Sequence, residues 1–235
     1  MDLQKSYHKI FMLLTIVLIG SFLLNLSLGS VSIPLKEIAA SLLGESIEKS
    51  TWQYIIIHYR LPKALTAIGV GAGLGAAGLL MQTLFRNPLA GPFVLGLSSG
   101  ASLGVAVLIL GAGAFGGILS GFLLNTWSLV IASALGSFLV LLAVLVVTFR
   151  VKDTMAILII GLMFGSVTSA VVAVLSYFSS AEKLQQYVFW SFGSLGNLSW
   201  EGLSILGISV SIGLLIAFAS VKSLNALLLG ENYAK

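Results

Sequence analysis

Side chains able to carry chemistry are few in this 235-residue chain, and their spacing argues against most reaction types. Cysteine is absent and histidine occurs only at His8 and His58, which excludes disulfide frameworks, thiolate metal sites, cysteine nucleophiles and histidine-rich metal centres. From Lys49 to Lys152 there is no Asp or Glu, so no carboxylate pair is available there for acid–base work, and no catalytic residue or metal ligand is assigned. Gly73, Gly75 and Gly78 spell GxGxxG. A dinucleotide fingerprint, however, must follow a strand and precede an acid by about 20 residues. Neither holds, and these glycines read as helix-packing positions instead. What remains is a set of short motifs at the borders of apolar runs: Arg60-Leu61-Pro62-Lys63, Arg86-Asn87-Pro88-Leu89-Ala90, and Leu224-Asn225-Ala226-Leu227 followed by Leu229-Gly230-Glu231.

The elements that position these motifs follow from composition. Residues are 58% hydrophobic and 9% charged, against about 25% charged in soluble domains, and the mean hydropathy is +1.08. A soluble enzyme, a disordered tail and a nucleic-acid-binding module are therefore excluded; the net charge of +4 fits cationic membrane-flanking loops. The chain reads as an all-α polytopic membrane protein. A crossing helix needs about 20 mostly apolar residues, and six charge-free runs qualify: Ile10 to Leu28, Ala64 to Phe85, Phe93 to Leu110, Trp127 to Phe149, Thr154 to Phe178 and Gly202 to Val221. The fourth holds 14 Leu, Ile, Val or Phe among 23 residues, worth roughly −6 kcal/mol on the insertion scale. No alternation of polar and apolar residues suggests a β-barrel. The first run follows Lys5 and Lys9 and is too long for a signal-peptide core, so it reads as a retained span.

Six spans place both termini on one side. With the N-terminus cytosolic, Lys5, Lys9, Arg86, Arg150, Lys152, Lys222 and Lys235 lie inside and Lys36, Lys49, Arg60, Lys63 and Lys183 outside, a margin of two in the direction of the positive-inside rule. No span contains an ionisable group of the kind that marks a proton relay. In the first loop Leu35, Ile38, Ala39 and Leu42 share a helical face, with Pro34 suited to the first turn and Gly44 to the stop, which predicts a short helix along the outer surface. Gly111 to Gly121 reads as a turn. The small-residue spacings Gly71/Gly75, Gly96/Gly100/Gly104 and Gly161/Gly165 predict close helix packing.

Together and in this order, the motifs resemble the FecCD-type permease subunits of ABC importers for ferric siderophores, haem and cobalamin. Leu95-Gly96-Leu97-Ser98-Ser99-Gly100-Ala101, Leu158-Ile159-Ile160-Gly161, Trp190-Ser191-Phe192-Gly193-Ser194-Leu195 and Ser199-Trp200 continue the likeness. The resemblance implies a ten-helix fold, of which 1–235 would form the first part as one incomplete transmembrane permease domain, with 222–235 beginning a cytoplasmic coupling region. It implies a second permease subunit, two ATPase subunits and an extracytoplasmic substrate-binding protein as partners, a multi-pass place in the cytoplasmic membrane, and no cofactor or nucleic acid. ATP hydrolysis would belong to the separate ATPase. Arg60 and Lys63 map onto the position that meets carboxylates of the binding protein, although snorkelling to headgroups accounts for them too. Asp153 and Thr154 map onto a cytosolic gate, where Asp153 could equally cap a helix. Asn225, Leu227, Gly230 and Glu231 map onto the ATPase groove. The function expected is import of an iron-siderophore-type substrate by alternating access. A secondary transporter or channel, or a non-transporting fragment, are the alternatives.

Overall fold

Away from water a backbone must satisfy its own N–H and C=O groups, and a helix does so within one segment. The chain uses this solution throughout the described residues. The structure, a computed structural model, describes residues 2–111, 126–150, 154–196 and 198–229. In order these form α1 (Asp2–Ser27), α2 (Leu35–Leu43), α3 (Ser50–Ile55), a π turn (Ile56–Arg60), α4 (Leu61–Phe85), a 3-10 turn (Pro92–Leu95), α5 (Leu97–Ile109), α6 (Thr126–Thr148), α7 (Thr154–Tyr177), α8 (Ala181–Phe192) and α9 (Trp200–Leu229). Five helical stretches are long and apolar enough to cross a membrane: Tyr7–Ser27, Ser50–Phe85, Trp127–Thr148, Ala156–Tyr177 and Trp200–Leu229. Large apolar side chains such as Phe11, Leu79, Phe138, Ile208 and Phe218 are exposed along them, the surface expected where the surroundings are lipid.

The all-α polytopic class read from the sequence is the one observed, with three differences in detail. First, Phe93 to Leu110 is not one continuous helix. Gly96 turns left-handed at φ 75°, ending the 3-10 turn and leaving α5 with 13 residues, about 20 Å; with the 3-10 turn ahead of it, at about 2 Å per residue, the run reaches about 28 Å, close to the hydrocarbon thickness of about 30 Å. Second, the helix that carries the second run starts at Ser50, well ahead of the run's first residue, Ala64. The ring of Pro62 has no N–H for the preceding turn, and a π turn immediately before it carries the helix past that gap. Third, α8 forms between the fifth and sixth runs with Ser180 as N-cap, and Gly193 (φ 69°) ends it. α2 starts after Pro34 and stops at Gly44 (φ 76°), as the sequence predicts. Its buried side chains, however, are Ile38 and Ser41, while Leu35, Ala39 and Leu42 face outward.

The chain divides into two compact units. One comprises Met1–Ala72 and Ser194–Ser211, the other Gly73–Gly193 and Ile212–Lys235, with α4 and α9 passing from one to the other. In the first unit Leu26 of α1, Ile33, Ile38 of α2, Ile56 of the π turn and Ala64 of α4 form the core, flanked by Phe22, Trp52 and Leu61. In the second, one core joins Val105, Ala106 and Ile109 of α5 to Leu129 and Ala132 of α6, Val172 of α7 and Tyr187 of α8. Another joins Leu95 to Val140 and Val144 of α6 and Leu158 of α7.

The tightest packing in the second unit is between α5 and α6. A Cβ at Gly100 would stand 2.5 Å from the Gly136 carbonyl oxygen, and one at Gly104 or Gly136 would come closer still to facing backbone. Gly96 lies 3.1 Å, measured the same way, from the Gly161 oxygen, and Gly161 abuts the backbone of Val94 and Leu95. A Cβ at Gly165 would meet Ser99 Oγ at 3.2 Å. Gly71 and Gly75 differ: nothing lies within 4 Å of a Cβ built on either.

Candidate functional site

The motif Arg60-Leu61-Pro62-Lys63 straddles the π turn and the first residues of α4 in the first unit. Its two cations point differently. Lys63 is exposed, and its Cδ lies beside the 194–196 segment, 3.8 Å from a Cβ built on Gly196. Arg60 is 8% exposed. Its Nη1 donates to the carbonyl oxygens of Leu26 at 2.6 Å and Ser27 at 2.8 Å, and its Nη2 donates to that of Val31. Nearby, the Trp200 indole donates to the Ile57 carbonyl at 3.1 Å, an acceptor on the π turn where the regular i to i−4 ladder is interrupted.

A second feature, not anticipated from the sequence, lies in the second unit. Ser98, Ser99 and Ser102 of α5, Thr168 and Ser169 of α7 and Tyr187 of α8 line a cavity of about 330 Å³. Ser99 and Ser169 also line an adjoining one of about 430 Å³, with Gly96, Gly161, Gly165 and Ser166. Among the described residues no Asp, Glu, Lys, Arg or His lines either. The hydroxyls are positioned by their own helices: Thr168 and Ser169 donate to the Gly165 carbonyl, at 2.8 and 2.9 Å, and Ser166 to that of Leu162 at 3.2 Å. Ser102 Oγ and Tyr187 Oη are 2.5 Å apart, joining α5 to α8. Such a groove offers neutral donors and acceptors in an otherwise apolar bundle. It can solvate a polar solute without fixing it by charge. The signal in the sequence was Ser98-Ser99-Gly100-Ala101-Ser102 and Ser166-Val167-Thr168-Ser169. Only the α5–α7 pairing makes them one surface.

At the other end of α4, Asn87-Pro88 turns the chain: Asn87 Oδ1 accepts from the Leu89 N–H at 2.9 Å and the Asn87 carbonyl from the Ala90 N–H at 3.1 Å. Arg86 takes a left-handed φ of 46°, unusual outside glycine, and its Nη2 donates to the Leu227 carbonyl near the end of α9. Asn225 and Leu227 thus sit on the last turns of α9, which runs on to Leu229. Gly230, Glu231 and Asp153 lie outside the described residues, as do residues 112–121 of the expected glycine-rich turn. Thr154 is the first residue of α7. No group of three or more His, Cys, Asp or Glu suited to a metal occurs among the described residues.

Comparison with known proteins identifies the family of the chain. Residues 16–235 match the model of the FecCD transport family. The molybdate import system permease protein of Haemophilus influenzae is 32% identical over 234 residues, covering 98% of this chain and 67% of that protein. The hemin transport system permease protein of Yersinia pestis is 30% identical over 217 residues (90% and 62%), and the vitamin B12 import system permease protein of Klebsiella pneumoniae is 31% identical over 223 residues (94% and 62%). A solved structure described as an inward-facing conformation of a metal-chelate type ABC transporter superposes with a TM-score of 0.79 at 30% identity, over 97% of this chain and 67% of that one. The chain spans about two thirds or less of the length of these relatives. It belongs to the FecCD transport family.

Proposed function

We propose that this FecCD-family chain acts as the membrane-spanning subunit of an ATP-driven importer, carrying a metal chelate of the iron-siderophore type across the cytoplasmic membrane by alternating access. The observation that carries the reading is the family match over 16–235, and the uncharged hydroxyl groove supports it. A bulky chelate with many oxygen atoms needs hydrogen-bonding walls, yet a buried charge of either sign would hold it too firmly to let it pass. ATP hydrolysis belongs to a separate ATPase pair that grips Asn225, Leu227, Gly230 and Glu231. The Asp153–Thr154 link narrows the path on that side, and a second permease subunit completes the wall.

Substrate choice is tested by uptake into proteoliposomes carrying the importer assembled with its partners. Ferric siderophore is expected to accumulate, and molybdate, haemin and cobalamin are the competitors to compare. Accumulation of one of these with no ferric siderophore uptake would replace the substrate class.

The orientation follows the charge count, with the N-terminus cytosolic. Because the chain has no native cysteine, single substitutions report sidedness directly. Lys49→Cys is expected to react with a membrane-impermeant maleimide added to intact spheroplasts, and Lys222→Cys only after lysis. The opposite pattern inverts the topology.

Docking of the extracytoplasmic binding protein falls to the end of α4 that carries Lys63, which is exposed and unencumbered by the core. Lys63→Glu is expected to weaken docking about five- to tenfold at low salt, with much of the difference lost near 0.5 M salt, because an exposed cation acts over a Debye length of about 8 Å at physiological ionic strength. Equal affinity and equal salt dependence of parent and variant would remove Lys63 from the docking face.

A further inference from the structure

We propose that Arg60 is a positioning residue: its guanidinium latches the C-terminal end of α1 to the start of α4 and holds the loop and short helix that pack against the π turn ahead of Lys63. Only the last step, from the latch to docking, rests on the docking reading above; the latch itself does not.

The end of a helix leaves its last carbonyls without intrahelical donors, and where water is scarce such orphans are costly. α1 ends at Ser27. There the Leu26 and Ser27 carbonyls receive Arg60 Nη1, the Ser27 carbonyl also receives the Ile33 N–H at 3.0 Å, and Ser27 Oγ donates to the Ile33 carbonyl at 2.8 Å. Val31, within the loop so closed, offers its carbonyl to Nη2. A cation at this place also complements the negative end of the α1 dipole. Three oxygens from two turns of chain are gathered by one planar fork. An ammonium, with its donors on a single atom, cannot match that geometry.

Two features of the chain serve this contact. The π turn adds one residue to the helix ahead of α4, rotating its flanks relative to each other by about 100°. Arg60, its last residue, is thereby directed at α1, while Lys63, three residues on, remains exposed. Gly29 is the other. A Cβ there would lie 2.8 Å from Arg60 Nη2 and 3.2 Å from its Cζ, so a side chain at that place would press on the guanidinium and shift it from its carbonyl partners. Ile33 and Ile38, which the latched loop carries into the core, pack with Leu26 and Ile56.

The test uses the full chain in lipid nanodiscs with two readouts. Modification by the arginine reagent 2,3-butanedione is expected to be at least about tenfold slower at Arg60 than at exposed Arg150, by analogy with local opening equilibria. Amide exchange around Ile33 is expected to speed up about ten- to a hundredfold in Arg60→Gln, the loss of charged hydrogen bonds acting on a locally opening segment. Arg60→Lys should recover part of the protection. Gly29→Val keeps the charge but expels the guanidinium, so it should reproduce the exchange of Arg60→Gln and raise the labelling of Arg60 towards that of Arg150. Lys63→Gln should leave both readouts unchanged. Equal labelling of Arg60 and Arg150 in the parent, or unchanged exchange in both Arg60→Gln and Gly29→Val, overturns the latch. These readouts involve no binding protein, so loss of the docking reading through Lys63→Glu would leave them standing, and their failure would leave the docking reading to its own test.

Discussion

Gly136→Ala is expected to destabilise the folded protein by about 3 kcal/mol or more, the upper range for overpacking, although it adds a single methyl group. That methyl would lie within 3 Å of the facing backbone: the Gly104 nitrogen is 2.9 Å away and the Gly100 carbonyl nearer still. No side chain can rotate aside, because the obstacle is main chain. Relief requires α5 and α6 to separate, which breaks the bond from Ser137 Oγ to the Leu97 carbonyl at 2.9 Å and loosens Val140 and Val144. In lipid the separation has no hydrophobic penalty to oppose it, since association there rests on close contact between small residues. Gly104→Ala should behave alike, and Gly100→Leu should cost more than Leu108→Ala, where a half-buried leucine is only trimmed. Gly71→Ala is the control. Nothing lies within 4 Å of its Cβ, so the gain in helix propensity of roughly 0.5–1 kcal/mol should leave it neutral or slightly stabilised. Denaturation in mixed micelles, followed by circular dichroism, measures all five. A Gly136→Ala variant as stable as Gly71→Ala would mean that α5 and α6 do not meet through these glycines.

That contrast shows what one sequence can and cannot disclose about packing. Gly71/Gly75 and Gly100/Gly104 have the same four-residue spacing in equally apolar runs, so periodicity treats them alike. The difference lies in what faces them. Gly136 and Ala132 sit opposite Gly100 and Gly104, whereas Gly71 borders a cavity of about 490 Å³ between α1 and α4, with Leu18, Ser21 and Asn25. The long helices were legible for a simple reason: lipid demands a charge-free run, and the run predicted from Trp127 to Phe149 differs by one residue at each end from Thr126–Thr148.

Breaks within runs were less legible. Gly96 reads as one more small residue until its left-handed φ is seen to end a 3-10 turn. Pro62 reads as a helix start until the π turn before it is known. Arg60 was the hardest case. Its inward direction depends on Gly29 and Val31, some thirty residues earlier, and no local pattern distinguishes a buried guanidinium from a surface one. The hydroxyl groove failed to stand out for a related reason. Serine and threonine in apolar helices usually bond back to their own turn, as Thr66 does to the Pro62 carbonyl at 2.7 Å, and only tertiary pairing tells which of them also line a space.

The groove supplies the second large effect. In the proposed importer, assembled with its ATPase and binding protein, Ser169→Leu is expected to lower substrate uptake about tenfold or more, while Ser169→Ala stays within about twofold of the parent, since narrowing a largely pre-formed cavity costs more than losing one of several polar groups. Ser169 is the informative position because it lines both adjoining cavities with Ser99, so a bulkier residue there narrows the space where the two meet. Its exposure means that a leucine meets open space rather than the core, and the fold should tolerate it. Thr168, one residue earlier, is 4% exposed, and Thr168→Leu would confound blockage with misfolding. The alanine variant removes a hydroxyl whose hydrogen bond to the Gly165 carbonyl is local to α7, leaving the width of the groove unchanged and Ser98, Ser99 and Ser102 in place. Uptake should therefore follow side-chain volume rather than polarity at this position, and melting temperatures of the two variants should match. If Ser169→Leu melts like the parent and transports at its rate, the groove lies off the substrate path; if Ser169→Ala loses as much as Ser169→Leu, the hydroxyl binds the substrate, and the wall is a site rather than a passage.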